Sequence, residues 1–107
     1  MSTGTHELHL AKDFGDYLAE GSCAVEYRLR NVDPFFDVYE TFVFDFEGVR
    51  GMNSSFANAL IVPLFARHGV EVLKKIRFRH CAPVVKLMLE SALTLGMEAA
   101  QPDHAYA

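Results

Sequence analysis

The chain has no tryptophan, only two cysteines and four prolines in 107 residues. No apolar run approaches the roughly 20 residues that a membrane span needs, so no span is expected. Cys23 and Cys81 stand far apart and match no metal-ligand spacing, which predicts two reduced thiols in a cytoplasmic protein rather than a disulfide framework. The polar opening from Met1 to Glu7 lacks the apolar core of a signal peptide, and none is expected. A phosphate-binding loop is missing as well. Phe46-Glu47-Gly48-Val49-Arg50-Gly51 has two glycines but no Lys-Ser/Thr behind it. His80 and Cys81, adjacent on a strand, would point to opposite faces, and His6 and His9 would diverge in the same way. No catalytic residue, metal centre or cofactor is therefore expected, and the chain reads as a non-enzyme.

What is present is one core's worth of apolar residues. Half of the chain is hydrophobic and 22% is charged, which argues against disorder and supports a single domain, read here as residues 1–99 with a tail at 100–107. Charge is unevenly spread. Residues 1–47 carry ten Asp/Glu against three Lys/Arg, while residues 48–107 carry four acids against seven bases. Such segregation can steer a partner onto one face, or it can be no more than solvated surface.

Thr5–Ala11 alternates His6, Leu8 and Leu10 against Glu7 and His9, the pattern of a half-buried strand. Asp13–Gly21 reads as loop, broken by Gly15 and Gly21. Ser22 is placed to cap a short helix through about Asn31, with Val25, Leu29 and Val32 on its inward face. Asp33-Pro34 stops it, because a residue before proline is pushed out of helical geometry. Thr41–Phe46 is β-rich and apolar on both faces, which predicts a central strand. Asn53 and Ser54 then open a helix that runs to Arg67-His68, with a kink expected at Pro63 and a stop at Gly69. Glu71–Lys75 reads as a brief helical turn and Ile76–His80 as a strand nearer the edge. Pro83 opens a last helix through Leu95, ended by Gly96, with a stripe of Val84, Leu87, Met88, Ser91, Ala92 and Leu95. The alternation predicts an α/β fold. Its sheet is mostly parallel with right-handed crossovers, the N-terminal strand adding in either sense, and about four strands covered by three or four helices.

Three segments could carry function. Lys74-Lys75-Ile76-Arg77-Phe78-Arg79-His80 interleaves bases with apolar residues, but the simpler reading is a strand with a solvated basic face, and no nucleic-acid partner is expected. Asp45 and Glu47 lie two apart at a strand end, where they can present two carboxylates or simply anchor the loop that follows. Asn53-Ser54-Ser55 sits at a helix mouth, where free backbone N–H groups and the helix dipole favour an anion or a phosphorylated hydroxyl. Simple N-capping by a serine is the plainer alternative. Phe56, Ala57, Leu60, Ile61, Val62, Leu64 and Phe65 exceed one buried stripe, so the following helix should meet a second layer, a twin subunit or a partner.

Read whole, Val43-Phe44-Asp45-Phe46-Glu47-Gly48-Val49-Arg50-Gly51-Met52-Asn53-Ser54-Ser55-Phe56-Ala57-Asn58-Ala59-Leu60 resembles a prokaryotic family of unknown function described as STAS-like. The resemblance spans about residues 8–95. It implies a STAS-like fold and kinship with the anti-sigma factor antagonists. In those, a serine at a helix N-terminus is phosphorylated by a partner of the histidine-kinase-like ATPase fold, and the phosphate abolishes binding. By that resemblance Ser54 and Ser55 are the candidate phospho-acceptors, and Asn53, Ser54, Ser55, Phe56, Asn58 and Ile61 the partner-binding residues. Asp45 and Glu47 would order the loop. Two positions depart from the antagonist motif: its Asp is Asn53 here and its Gly is Phe56. The alternative is a STAS-like scaffold that senses an anion or small ligand without phosphorylation.

Overall fold

The structure, a computed structural model, describes residues 4–100. In chain order the elements are β1 (Thr5–His9), α1 (Leu10–Phe14), β2 (Tyr17–Leu18), α2 (Gly21–Asn31), a 3-10 turn (Asp33–Phe35), β3 (Thr41–Asp45), β4 (Gly51–Met52), α3 (Ser54–His68), α4 (Glu71–Lys75), β5 (Ile76–Arg79) and α5 (Pro83–Ala99). The fold is α/β with parallel strands throughout. One sheet has the order β1-β3-β5, and β2 pairs with β4 in a second, two-stranded one. No helix among the described residues is long and apolar enough to cross a membrane. The tail expected from Ala100 onward lies, beyond that residue, outside the described part of the chain.

β3 is the interior strand, as its composition predicts, but its two faces differ. Phe42 and Phe44, with Phe46 just beyond, are buried against the helices. Period-two alternation turns Thr41, Val43 and Asp45 the other way, beside Thr5, Glu7 and His9 of β1 and Arg77 and Arg79 of β5. Five of those neighbours, Thr5, Glu7, His9, Arg77 and Arg79, are exposed. The expectation that helices cover the sheet therefore holds for one face only, and the molecule has two layers.

The outer edge of β5 is partly closed by its own side chain. Phe46 N–H donates to Arg79 O at 2.8 Å, so residues 77 and 79 turn their backbone to β3 and Ile76 turns its carbonyl outward. Arg77 Nη1 donates to that Ile76 carbonyl at 2.9 Å and to Leu73 O at 3.4 Å.

α3 explains its own excess of apolar residues. It lies between α2 and α5 and under the sheet, so Phe56, Ala57, Leu60, Ile61, Leu64 and Phe65 are all buried within one chain and Val62 is half-buried. The apolar surplus needs no twin subunit and gives no support to docking. The helix passes through Pro63 as one 15-residue element and closes at Gly69, whose φ of 68° is easy only for glycine.

α2 presents a different face from the one its apolar spacing predicts. Ala24, Tyr27 and Arg28 point inward, while Leu29 is 47% exposed. Arg28 is buried because Asp33 waits for it at 2.7 Å. Asp33 also takes Arg67 at 3.1 Å and lies 3.4 Å from His68, tying the end of α2 to the end of α3. α5 likewise buries Val85, Leu89, Ala92 and Gly96 and leaves Val84, Leu87 and Leu95 exposed, a stripe displaced by one position from the expected one. Gly96 does not end this helix. A Cβ there would stand 2.4 Å from Phe65 Cδ2, so the glycine lets α5 approach α3. α1 and β2 replace the loop expected at Asp13–Gly21, and α2 begins at Gly21, with Glu20 rather than Ser22 at its cap position.

Candidate functional site

The mouth of α3 is held by backbone pairing on one side and by a single amide on the other. After β3, Val49 N–H closes a turn on Phe46 O at 2.9 Å, with Gly48 at φ 89°. β4 then lies beside β2: Arg50 N–H donates to Asp16 O at 2.7 Å and Asn53 N–H to Leu18 O at 3.0 Å. The Asn53 side chain works at both ends. Its Oδ1 accepts from Phe56 N–H at 2.9 Å, the N-cap bond, and its Nδ2 donates to Ala19 O at 2.9 Å. An aspartate at this position could make the first bond but not the second.

Because Asn53 supplies the cap, neither serine is needed for it. Ser54 and Ser55 are the first two residues of α3, both exposed, and neither side chain makes a hydrogen bond within the described residues. Their backbone N–H groups are helix-start donors with no partner in the preceding turn. The start of α2 backs onto them: a Cβ at Gly21 would come within 2.8 Å of Ser55 Oγ and 3.3 Å of Ser55 O. Two helix N-termini thus meet side by side, each with the positive end of its dipole outward.

The other expected partner-binding residues divide. Asn58 is half-buried on the next turn. Phe56 and Ile61 are fully buried and cannot meet a partner while the core is intact, because the Phe56 ring packs edge-on against Phe14 at 5.4 Å and Ile61 lies in the central cluster. Since its ring is in the core, Phe56 does not cover the serines, and the bulk that replaces the motif's glycine leaves them open. Sequence reasoning missed the exposed apolar rim beside this mouth. Tyr17, 55% exposed, packs on Gly51, and a shallow depression joins it to Met52 and to Val84 at the start of α5. Leu87, one turn further along, is 59% exposed. The α5 part was within reach of a stripe read one position over; Tyr17 sits in a two-residue strand that gives no periodicity.

Asp45 and Glu47 occupy a separate place at the carboxyl end of β3. Asp45 is only 3% exposed, and its Oδ1 accepts Glu47 N–H at 2.9 Å, the loop anchor the spacing suggests. His80 Nδ1 lies 2.9 Å from that same oxygen, and Arg79 Nη2 lies 3.3 Å from Oδ2. His9 Nδ1 is 3.7 Å from Oδ2, and Glu7 reaches both Arg79, at 3.2 Å, and His9, at 3.4 Å. Burial pushes the Asp45 carboxyl up. The hydrogen bonds from the Glu47 amide, His80 and Arg79 outweigh it and hold the group below its ordinary range. Burial, with Asp45 nearby, pushes the Cys81 thiol up, so it is no activated nucleophile. The Glu47 side chain is exposed and forms no such anchor.

A two-layer parallel α/β unit, with a capped helix opening directly after a short strand, is the class this geometry defines. The model of a family described as STAS-like domain of unknown function (DUF4325) matches residues 31–86, a little over half of the chain. The chain belongs to that family. Neither a search of curated proteins nor one of solved structures finds a match.

Proposed function

We propose that the chain is a non-enzymatic regulatory module that docks a protein partner through the mouth of α3, and that negative charge on Ser54 or Ser55 switches the docking off. The observation that carries this is the pair of exposed hydroxyls at a helix start whose capping is already done by Asn53. Side chains that hold nothing in the fold are free to be contacted or modified. The rim of Tyr17, Val84 and Leu87 supplies apolar area to bury beside Asn53, Ser54, Ser55 and Asn58. The partner class is the histidine-kinase-like ATPase implied by the family's kinship. A phosphate here would leave the fold intact, since free N–H groups and the dipole favour it by about 0.3–1 kcal/mol. It would oppose docking, because about −1.5 to −2 charges must then be desolvated.

The test is capture of the ATPase from the native host by the purified chain, scored by mass spectrometry beside a melting curve. Ser54→Asp or Ser55→Asp should cut capture at least about tenfold while stability moves by less than about 1 kcal/mol. Alanine at either serine should leave the melting temperature near its starting value, whereas Asn53→Ala should cost about 1 kcal/mol as a lost cap. Undiminished capture by both Asp variants defeats the switch. The paired helix N-termini favour a second reading, an anion-sensing scaffold. Saturable binding of inorganic phosphate that both Asp variants lose, with no ATPase captured by any form, would replace docking with it.

A further inference from the structure

Four polar side chains converge at the carboxyl ends of β1, β3 and β5, and no part of the docking proposal uses them. His80, Asp45 and Glu47 each bring one ligand-type atom to within 4.8 Å of the other two. His9 reaches the same carboxylate from β1. We propose that His80, Asp45 and Glu47 bind one divalent transition-metal ion of the zinc class, the ion taking the place of the hydrogen now shared between His80 Nδ1 and Asp45 Oδ1.

Charge is the first argument. Asp45 and Glu47 meet in this cluster, Glu7 joins it through Arg79 and His9, and among the described residues Arg79 is the one guanidinium in contact with these carboxylates. Three carboxylates set against one guanidinium make an acidic cluster, a setting that a divalent cation complements. Arg77, the nearest further arginine on β5, has turned its guanidinium to the Ile76 and Leu73 carbonyls instead.

Distance is the second. Two ligands bound at about 2.0–2.2 Å to one tetrahedral ion stand a little over 3 Å apart. His80 Nδ1 and Asp45 Oδ1, at 2.9 Å, need to separate by only a few tenths of an ångström. The Glu47 side chain is exposed and can swing in to supply the third ligand. An ion on Nδ1 displaces the hydrogen there, which passes to Nε2 or to solvent; the ring is 52% exposed, so both routes are open. The buried Asp45 is fixed by the Glu47 amide. His80, at φ 58°, is held in the turn that brings its ring back over β3. A nitrogen with two carboxylates selects a borderline ion such as Zn²⁺ over Mg²⁺ or Ca²⁺, which prefer all-oxygen shells.

Calorimetric titration of the purified chain with zinc chloride, and separately with magnesium and calcium chloride, tests this. One zinc ion per chain is expected, with a melting temperature that rises on zinc addition. His80→Asn, whose side chain tolerates the positive φ, should weaken zinc binding at least a hundredfold, and Glu47→Gln at least tenfold, with both variants folded in the absence of metal. Absence of saturable zinc binding overturns the proposal. So does wild-type affinity in either variant, which would remove that residue from the ligand set, and so does magnesium or calcium binding as tight as zinc.

Discussion

Asp45 is the residue on which most of the chain's long-range polar contacts at the sheet end depend. Its folded-state carboxyl is depressed, so ionised Asp45 contributes stability that is present above the unfolded value of about 4 and is lost as pH falls through the folded value. Urea titrations of the wild type and Asp45→Asn between pH 2 and 7 should differ by about 1–2 kcal/mol at neutral pH. The two curves should merge in acid; a gap that persists at low pH would mean that the carboxylate's charge is not what the fold uses. None of this was visible in the sequence beyond the Asp45–Glu47 anchor. Asp45 lies 36 positions from His9 and 35 from His80, so no spacing rule connects them, and the parallel pairing of three strands brings them to one end of the sheet. The helix mouth was legible for the opposite reason. Asn53, Ser54 and Ser55 are neighbours in the chain, and capping chemistry is local.

Elements with a strong local signature stand where the chain places them: the aromatic alternation of β3, the cap of α3, Gly69 after it, and Pro83 at the first turn of α5. Where tertiary contact decides, local reading fails in a definite way. Arg28 marks an inward face that hydropathy scores as outward. β2 and β4 are two residues each, too short to show any period. Gly96 looks like a stop signal because glycine is usually a poor helix residue, yet the helix continues and the missing side chain is what the Phe65 ring requires. The sign of a substitution follows. In an exposed helix Gly→Ala gains up to about 1 kcal/mol. Here Gly96→Ala should instead cost about 1–3 kcal/mol by overpacking. Denaturant midpoints decide, and a stabilised variant would mean that α5 and α3 can separate at little cost.

Across the whole molecule, the lopsided charge of the two halves is partly paired within the fold. Acids from the first half meet bases from the second at Asp33 with Arg67 and at Glu7 and Asp45 with Arg79. Lys75, in the basic run, donates to the carbonyls of Phe36 and Tyr39 rather than facing solvent. That part of the asymmetry holds distant segments together. Among the described residues the parallel sheet of three strands ends in two unpaired edges, and β5 is short, flanked by exposed Leu73 and by the cleft under α5. The Arg77 guanidinium seated on the outward Ile76 carbonyl makes that edge a poor template for a stray chain, occupying an acceptor and adding charge where intermolecular β-pairing would begin. Arg77→Ala should therefore melt near the wild-type temperature yet scatter more light as concentration or temperature rises, with new β-signal in the infrared amide band. Equal scattering from the two proteins would locate the protection elsewhere. On this account, the colloidal behaviour of the chain turns on one side chain folded back along its own strand.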